Sequence, residues 1–231
     1  MPDRTTMTAY VVNEIRRRIL SGEIAAGTKI PAGPLAEELG VSPVPVREAL
    51  QALQSEGLVK IFGHRGAIAA PASSKELADL YQMREILEPA AVSAVDLTLL
   101  RDRLDTLTDA LERLDHALHA GDRDAFRVAH REFHFGIYAC SGNDWMVRTI
   151  RGLYDNCERY RTAATWRRDP NDAASEHRFM LDALREARAD DAAQLTLAHL
   201  EVTRGLALSS IQGDESKDAA NGRSGGKVKG S

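Results

Sequence analysis

Four of the seven histidines are spaced as metal ligands are. His130 and His134 stand at i and i+4, so a helix over 122–141 would project both imidazoles from one face. His177 and His199 belong to the last two amphipathic runs, on either side of a break near Asp190. They lie 13 residues before that break and nine after it. At ~1.5 Å per residue the axial offsets are about 20 and 13 Å, within about a turn of one level in an antiparallel hairpin. Three helices can thus present four imidazoles to one point. Neutral imidazole suits Zn²⁺, Ni²⁺ and similar ions, so a divalent transition metal is one reading of the group. The competing reading of each histidine alone is a surface or hydrogen-bonded core residue. His64, His116 and His119 lack such companions and read as wing, surface and surface.

The chain that must position these rings has 231 residues, enough for one or two domains. Its 43% hydrophobic and 28% charged content is that of an ordinary globular protein. No apolar run approaches the ~20 residues of a membrane span, and MPDRTTMTAY lacks the layout of a secretory signal. Cys140 and Cys157 have neither metal nor redox spacing and read as buried thiols, which fits a cytoplasmic location. A net charge of −4 argues against indiscriminate nucleic-acid binding but permits a basic face on a small domain.

The fold class read from periodicity is mainly α, a winged helix-turn-helix followed by an all-α antiparallel bundle. Residues 1–72 form the first domain and 73–212 the second, while 213–231 are too polar and glycine-rich to pack and are expected to be disordered. In the first domain Tyr10, Val11, Ile15, Ile19 and Leu20 recur with helical period, and Arg16–Arg18 form either a solvated or a phosphate-contacting face. GEIAAGTKIP reads as a connector. Leu35, Ala36 and Leu39 mark a short helix that Gly40 ends. Ser42 is placed to cap the next, with Pro43 just inside it. That recognition helix runs over Pro43–Glu56, with Val46, Leu50 and Leu53 inward. Strands at Val59–Phe62 and Ala67–Ala69 flank the tip. The expected DNA contacts are Ser42, Val44, Pro45 and Arg47 on the helix and His64, Arg65 and Gly66 on the wing. In the second domain six helices are expected, over 75–94, 97–120, 122–141, 143–167, 171–188 and 191–210.

SGEIAAGTKIP, LAEELGVS, PVREAL, EGLVK and RGA, in this order, resemble the DNA-binding domain of the GntR family of bacterial transcription regulators. LYQMREILEPAAV, AGDRDAF, FHFGIYACSGN and EHRFMLDAL with a later histidine resemble the all-helical, FCD-type effector domain of its FadR-like branch. The resemblance covers about residues 8–210. Many members of that branch hold a metal with an aspartate, a histidine four residues on, and two more histidines, and the resemblance makes a divalent transition metal, Zn²⁺ or Ni²⁺, the expected cofactor. His134, His177 and His199 match the three histidines, and His130 takes the place of the aspartate, which implies an all-histidine site or a weakened one. Arg84 matches an arginine that often faces the effector cavity, where it would favour a carboxylate. Its plainer role is a salt bridge to Glu88 one turn on. Gly33 and Pro43 stand where the family usually has arginines, leaving Arg47 as the matching base reader.

The implied function is a cytoplasmic, homodimeric transcription regulator that reads a double-stranded operator through two half-sites. It would respond to a small carboxylate effector beside the metal. Enzymatic activity is not expected, because no Glu-x-x-His pair, nucleophile setting or phosphate-cradling loop accompanies the histidines. The alternatives are a dimeric DNA-binding protein with a vestigial metal site, and a helical metalloenzyme with a DNA-binding-like appendage.

Overall fold

The computed structural model describes the backbone of residues 4–63, 66–165 and 169–224; the side chains of 4–5, 159, 161–165 and 212–224 lie outside the described residues. The chain divides into two units, Met1–Ser73 and Ser74–Ser231. The first contains α1 (Arg4–Leu20), β1 (Lys29–Ile30), α2 (Ala32–Glu38), α3 (Pro43–Ser55), β2 (Val59–Ile61) and β3 (Ala67–Ala69). Val11, Ile15 and Ile19 of α1 meet Leu35 of α2 and Val46, Leu50 and Leu53 of α3 in one core. Tyr10 departs from the expected stripe and is 52% exposed. The connector also holds more structure than expected. Lys29 and Ile30 pair antiparallel with Ile68 and Ala67, so the sheet has the order β1-β3-β2.

The turn between α2 and α3 depends on Gly40, whose φ of +65° is the left-handed conformation that a side chain disfavours. Ser42 occupies the N-cap of α3 in extended backbone, but its side chain makes no capping hydrogen bond. Part of the reason lies three residues on. A cap bonds the N–H of the second or third helical residue, and the third here is Pro45, which has none.

The arginine run of α1 is consumed within the unit. Arg16 pairs with Glu56 at the end of α3 at 2.7 Å. Arg17 reaches Glu14 and Glu23, and Arg18 reaches Glu14 and Glu38 at 2.7 Å each. Arg16–Glu56 and Arg18–Glu38 tie α1 to the end of α3 and to α2, and the remaining pairs brace α1 itself, so the arginines act as internal clamps rather than as a free basic face.

The second unit contains α4 (Ser74–Ser93), α5 (Leu97–Arg101), α6 (Leu104–Ala120), α7 (Arg123–Ala139), α8 (Asp144–Thr165), α9 (Pro170–Arg185) and α10 (Ala189–Ser224). The single helix expected over 97–120 is two. Asp96 caps α5 through the N–H groups of Thr98 and Leu99, and the Arg103 N–H closes a tight turn on the Leu100 carbonyl. Helix α10 continues past Gly213 to Ser224, where disorder was expected. The stretch DESKDAA that follows Gly213 contains Glu, Lys and Ala, which favour helix over coil. Asp122 caps α7 by accepting from the Ala125 N–H at 3.0 Å, and Gly121 ends α6 in the left-handed conformation. In the bundle α10 packs on α4, α8 and α9, and α6 on α7 and α9. Both cysteines are buried and unpaired with each other.

The α1 clamp carries a pH signature. Hydrogen bonds from Arg17, then Arg18, hold the Glu14 carboxyl down from its ordinary 4.5 to about 2. A depressed acid contributes stability that is present above its unfolded value and is lost as pH falls through its folded one. Denaturation of wild type and Glu14→Gln should therefore differ by about 1 kcal/mol above pH 5, after allowance for solvent screening, and converge towards pH 2. A difference that does not shrink with acid would contradict the clamp.

Candidate metal centre and DNA-binding face

The four histidines sit on the same stripes that build the bundle core. On α7, His130 and His134 continue the buried series Phe126, Ala129, Phe133 and Ile137. On α9, His177 lies between Ala173 and Met180, and on α10 His199 adjoins Leu200. All four are at most 4% exposed. One ring nitrogen from each lies within 4.8 Å of the others. The hairpin geometry expected from the sequence is realised, with the His177 and His199 ring centroids 4.8 Å apart.

The outer nitrogens are held. His177 Nδ1 lies 2.6 Å from the Ala173 carbonyl oxygen and must donate to it. His199 Nδ1 lies 2.8 Å from Glu176 Oε2 and likewise donates. Tyr138 gives its hydroxyl proton to Glu88 Oε2 at 2.6 Å, so its oxygen accepts from His134 Nδ1 at 3.2 Å. His130 Nδ1 lies 2.8 Å from the Tyr154 hydroxyl, which can donate or accept. Three rings thus carry their proton outside, leaving Nε2 as the nitrogen able to ligate. His134 Nε2 faces His177 Nε2 at 3.1 Å and His130 Nε2 at 3.2 Å. With both rings neutral the first of these contacts joins two acceptors, which repel unless a cation, a proton or a metal ion, lies between them. A tetrahedral ion with bonds of about 2.0–2.1 Å spaces its ligands by about 3.3–3.4 Å, close to these two separations. The donor set fits a transition metal ion.

Behind the cluster, Arg84 forms the salt bridge to Glu88, with Nε 2.6 Å from Oε1 and Nη2 3.3 Å from Oε2. Burial opposes the guanidinium charge, but the Glu88 carboxylate, with Cys157 and Tyr81, more than offsets this and holds its pKa above the ordinary value. The guanidinium also lies over the rings of Tyr81 and Tyr154, at 4.9 and 5.2 Å. Its Nη1 is buried with no hydrogen-bond partner among the described residues. Burial, reinforced by Glu88, pushes the Tyr138 hydroxyl well above its ordinary pKa, so it remains a donor.

Glu88 was legible from its spacing to Arg84. Tyr138, Tyr154 and Glu176 were not singled out. Tyr138 stands four residues after His134, a signal of a shared face; Glu176 adjoins His177 in sequence yet serves His199, which only the packing reveals. His116 and His119 are exposed.

In the first unit Ser42, Val44 and Arg47 are exposed, and Val44, Arg47, Gln51 and Gln54 form one outward stripe of α3. Pro45 is buried, contrary to expectation, because its ring packs inward at the start of the helix. Gly66 is exposed, whereas His64 and Arg65 lie outside the described residues. Between α3 and the β2–β3 turn runs an open groove of about 620 Å³ lined by Arg47, Gln51, Lys29, Gly63 and Gly66.

Residues 8–68 match the family described as bacterial regulatory proteins, gntR family, and residues 79–202 match the FCD domain. The chain belongs to the GntR family and carries an FCD domain. This GntR–FCD protein is 27% identical over 187 residues to the Nta operon transcriptional regulator of Aminobacter aminovorans, covering 81% of this chain and 88% of the relative. It is also 27% identical over 196 residues to the probable D-xylose utilization operon transcriptional repressor of Paenarthrobacter nicotinovorans, covering 85% and 86%. E. coli McbR/YncC has the same fold, with a TM-score of 0.77 at 24% identity over 92% of this chain and 99% of that one. The protein is a DNA-binding transcription regulator with an FCD effector domain. No helix among the described residues is long and apolar enough to cross a membrane.

Removing one member of the buried ion pair should be costly. Arg84→Met strands Glu88, which is 1% exposed, and chemical denaturation should register a loss of about 3–5 kcal/mol. Adding Glu88→Leu should recover most of that loss; a single variant as stable as wild type would remove Arg84 from the core ion pair.

Proposed function

We propose that this regulator is a cytoplasmic homodimer whose helical unit binds a divalent transition metal, Zn²⁺ or Ni²⁺, together with a small carboxylate effector that alters operator binding. The observation that carries the metal reading is the 3.1 Å approach of two acceptor nitrogens, His134 Nε2 and His177 Nε2, within a buried four-histidine group. His130, His134, His177 and His199 would hold the ion, which would supply a positive centre; an outside ligand would reach it by expanding the sphere beyond four. Four neutral imidazoles contribute no charge against the ion's, Glu176 behind His199 offsets only part of it, and an anion answers the remaining deficit in a low-dielectric core. The buried Nη1 of Arg84 supports the same ligand class, since a guanidinium favours carboxylate. Effector control requires that the ligand bind two arrangements of the protein with different affinity.

Operator recognition is assigned to the outward stripe of α3, with Arg47 as the principal base reader and Ser42 and Val44 beside it. The exposed Gly66, with His64 and Arg65 of the wing, would meet phosphate or the minor groove. A two-fold dimer would read two half-sites.

Chelation tests the metal reading. The purified protein should lose thermal stability on adding a chelator and regain it with Zn²⁺ or Ni²⁺, because the unfolded chain has no preformed site. His177→Ala should abolish that response, whereas His130→Asp should keep it. A melting temperature indifferent to both chelator and added ion would contradict the proposal.

For DNA, Arg47→Ala should weaken binding to the specific operator by about 1–3 kcal/mol. Titration against a random duplex of equal length distinguishes the roles: equal losses on both would reassign Arg47 to phosphate, and no loss would remove it from the interface.

A further inference from the structure

Ligation through Nε2 requires that the ring proton sit on Nδ1, whereas a free neutral imidazole in water prefers it on Nε2. Each histidine of the cluster solves this differently. His177 uses a carbonyl of its own helix, Ala173, and His199 uses Glu176 on the neighbouring helix. His130 meets Tyr154, whose hydroxyl suits either tautomer. His134 is held by a chain of hydrogen bonds that reaches α4. Arg84 Nε donates to Glu88 Oε1 at 2.6 Å, the Tyr138 hydroxyl donates to Glu88 Oε2 at 2.6 Å, and His134 Nδ1 completes the series 3.2 Å from the Tyr138 oxygen. Every member is at most 3% exposed, so water does not substitute for any of them.

The order of donors leaves little freedom. Arg84 has only donors, so Glu88 must accept. Glu88 then takes the single hydroxyl proton of Tyr138, whose oxygen turns lone pairs towards His134. That ring answers with Nδ1–H and presents Nε2 to His130 and His177. We propose that Arg84, Glu88 and Tyr138 are positioning residues that hold His134 in the ligating tautomer, so that metal affinity is set from α4 as well as from the ligand-bearing helices. The proposal rests on the reading of His134 as a metal ligand.

Tyr138→Phe removes the hydroxyl and keeps the ring. Three measurements on the full chain decide the matter. Competition against a chromophoric chelator should show Ni²⁺ and Zn²⁺ bound about 10–100-fold more weakly than by wild type, the usual cost of losing an outer partner of a ligating histidine. The ¹⁵N shifts of the His134 ring in the metal-free wild type should report Nδ1–H, and those of the metal-free variant a move to Nε2–H. The melting temperature of the metal-free variant separates this from general loosening, which would lower stability without moving the tautomer. Wild type that binds the ions, with a variant that binds them equally well, overturns the relay and spares the metal site. Wild type that binds neither ion overturns the metal site and the relay with it. Should the variant fail to fold, the wild-type spectrum still decides, because His134 found as Nε2–H overturns the relay.

Discussion

Four imidazoles in the middle of a helical bundle bring eight ring nitrogens out of water, and a buried polar atom is costly unless it is partnered. The outer four are met by a backbone carbonyl, a carboxylate and two tyrosine hydroxyls. Those bonds in turn dictate where the protons lie, and they direct acceptor nitrogens of His134 and His177 at each other across 3.1 Å. An apolar core of the same shape would be simpler to stabilise. The bundle instead spends core positions on α7, α9 and α10 on four imidazoles whose inner nitrogens are placed as a metal ion would need them, and Tyr138, Tyr154 and Glu176 partner the outer nitrogens.

Charge is distributed differently in the two units. Around the cluster, Arg84 is neutralised by Glu88, so this pair adds no net charge beside the histidines. In the DNA-binding unit most arginines of α1 are committed to glutamates, and with Gly33 and Pro43 in exposed positions the outward stripe of α3 has Arg47 as its cation. A chain of net charge −4 gains little from non-specific attraction to DNA phosphate.

Much of this was legible in the residues. The i,i+4 pair His130 and His134 and the comparable offsets of His177 and His199 on either side of Asp190 located the cluster, because helical period and rise are nearly constant. Gly40, Gly121 and Asp122 marked turns and caps by their own conformational preferences. What escaped depended on contacts between elements. Lys29 and Ile30 are strand only because β3 lies beside them, and Pro45 is buried by packing rather than by any local rule. The break after Arg101 follows a tight turn inside a continuous amphipathic pattern. That Pro45 withholds one of the two N–H donors a cap at Ser42 could use was readable in principle. Glu176 could be assigned to His199 only once α9 and α10 were placed side by side.

The coordination sphere itself is the most direct test. X-ray absorption at the metal edge of the Zn²⁺- or Ni²⁺-loaded full chain counts and identifies the ligands without recourse to stability or activity. Four imidazole nitrogens at about 2.0–2.1 Å, falling to three in His199→Ala, is the expected result. A sphere made of oxygen or sulfur ligands, or one unchanged by that substitution, would contradict a site built from His130, His134, His177 and His199.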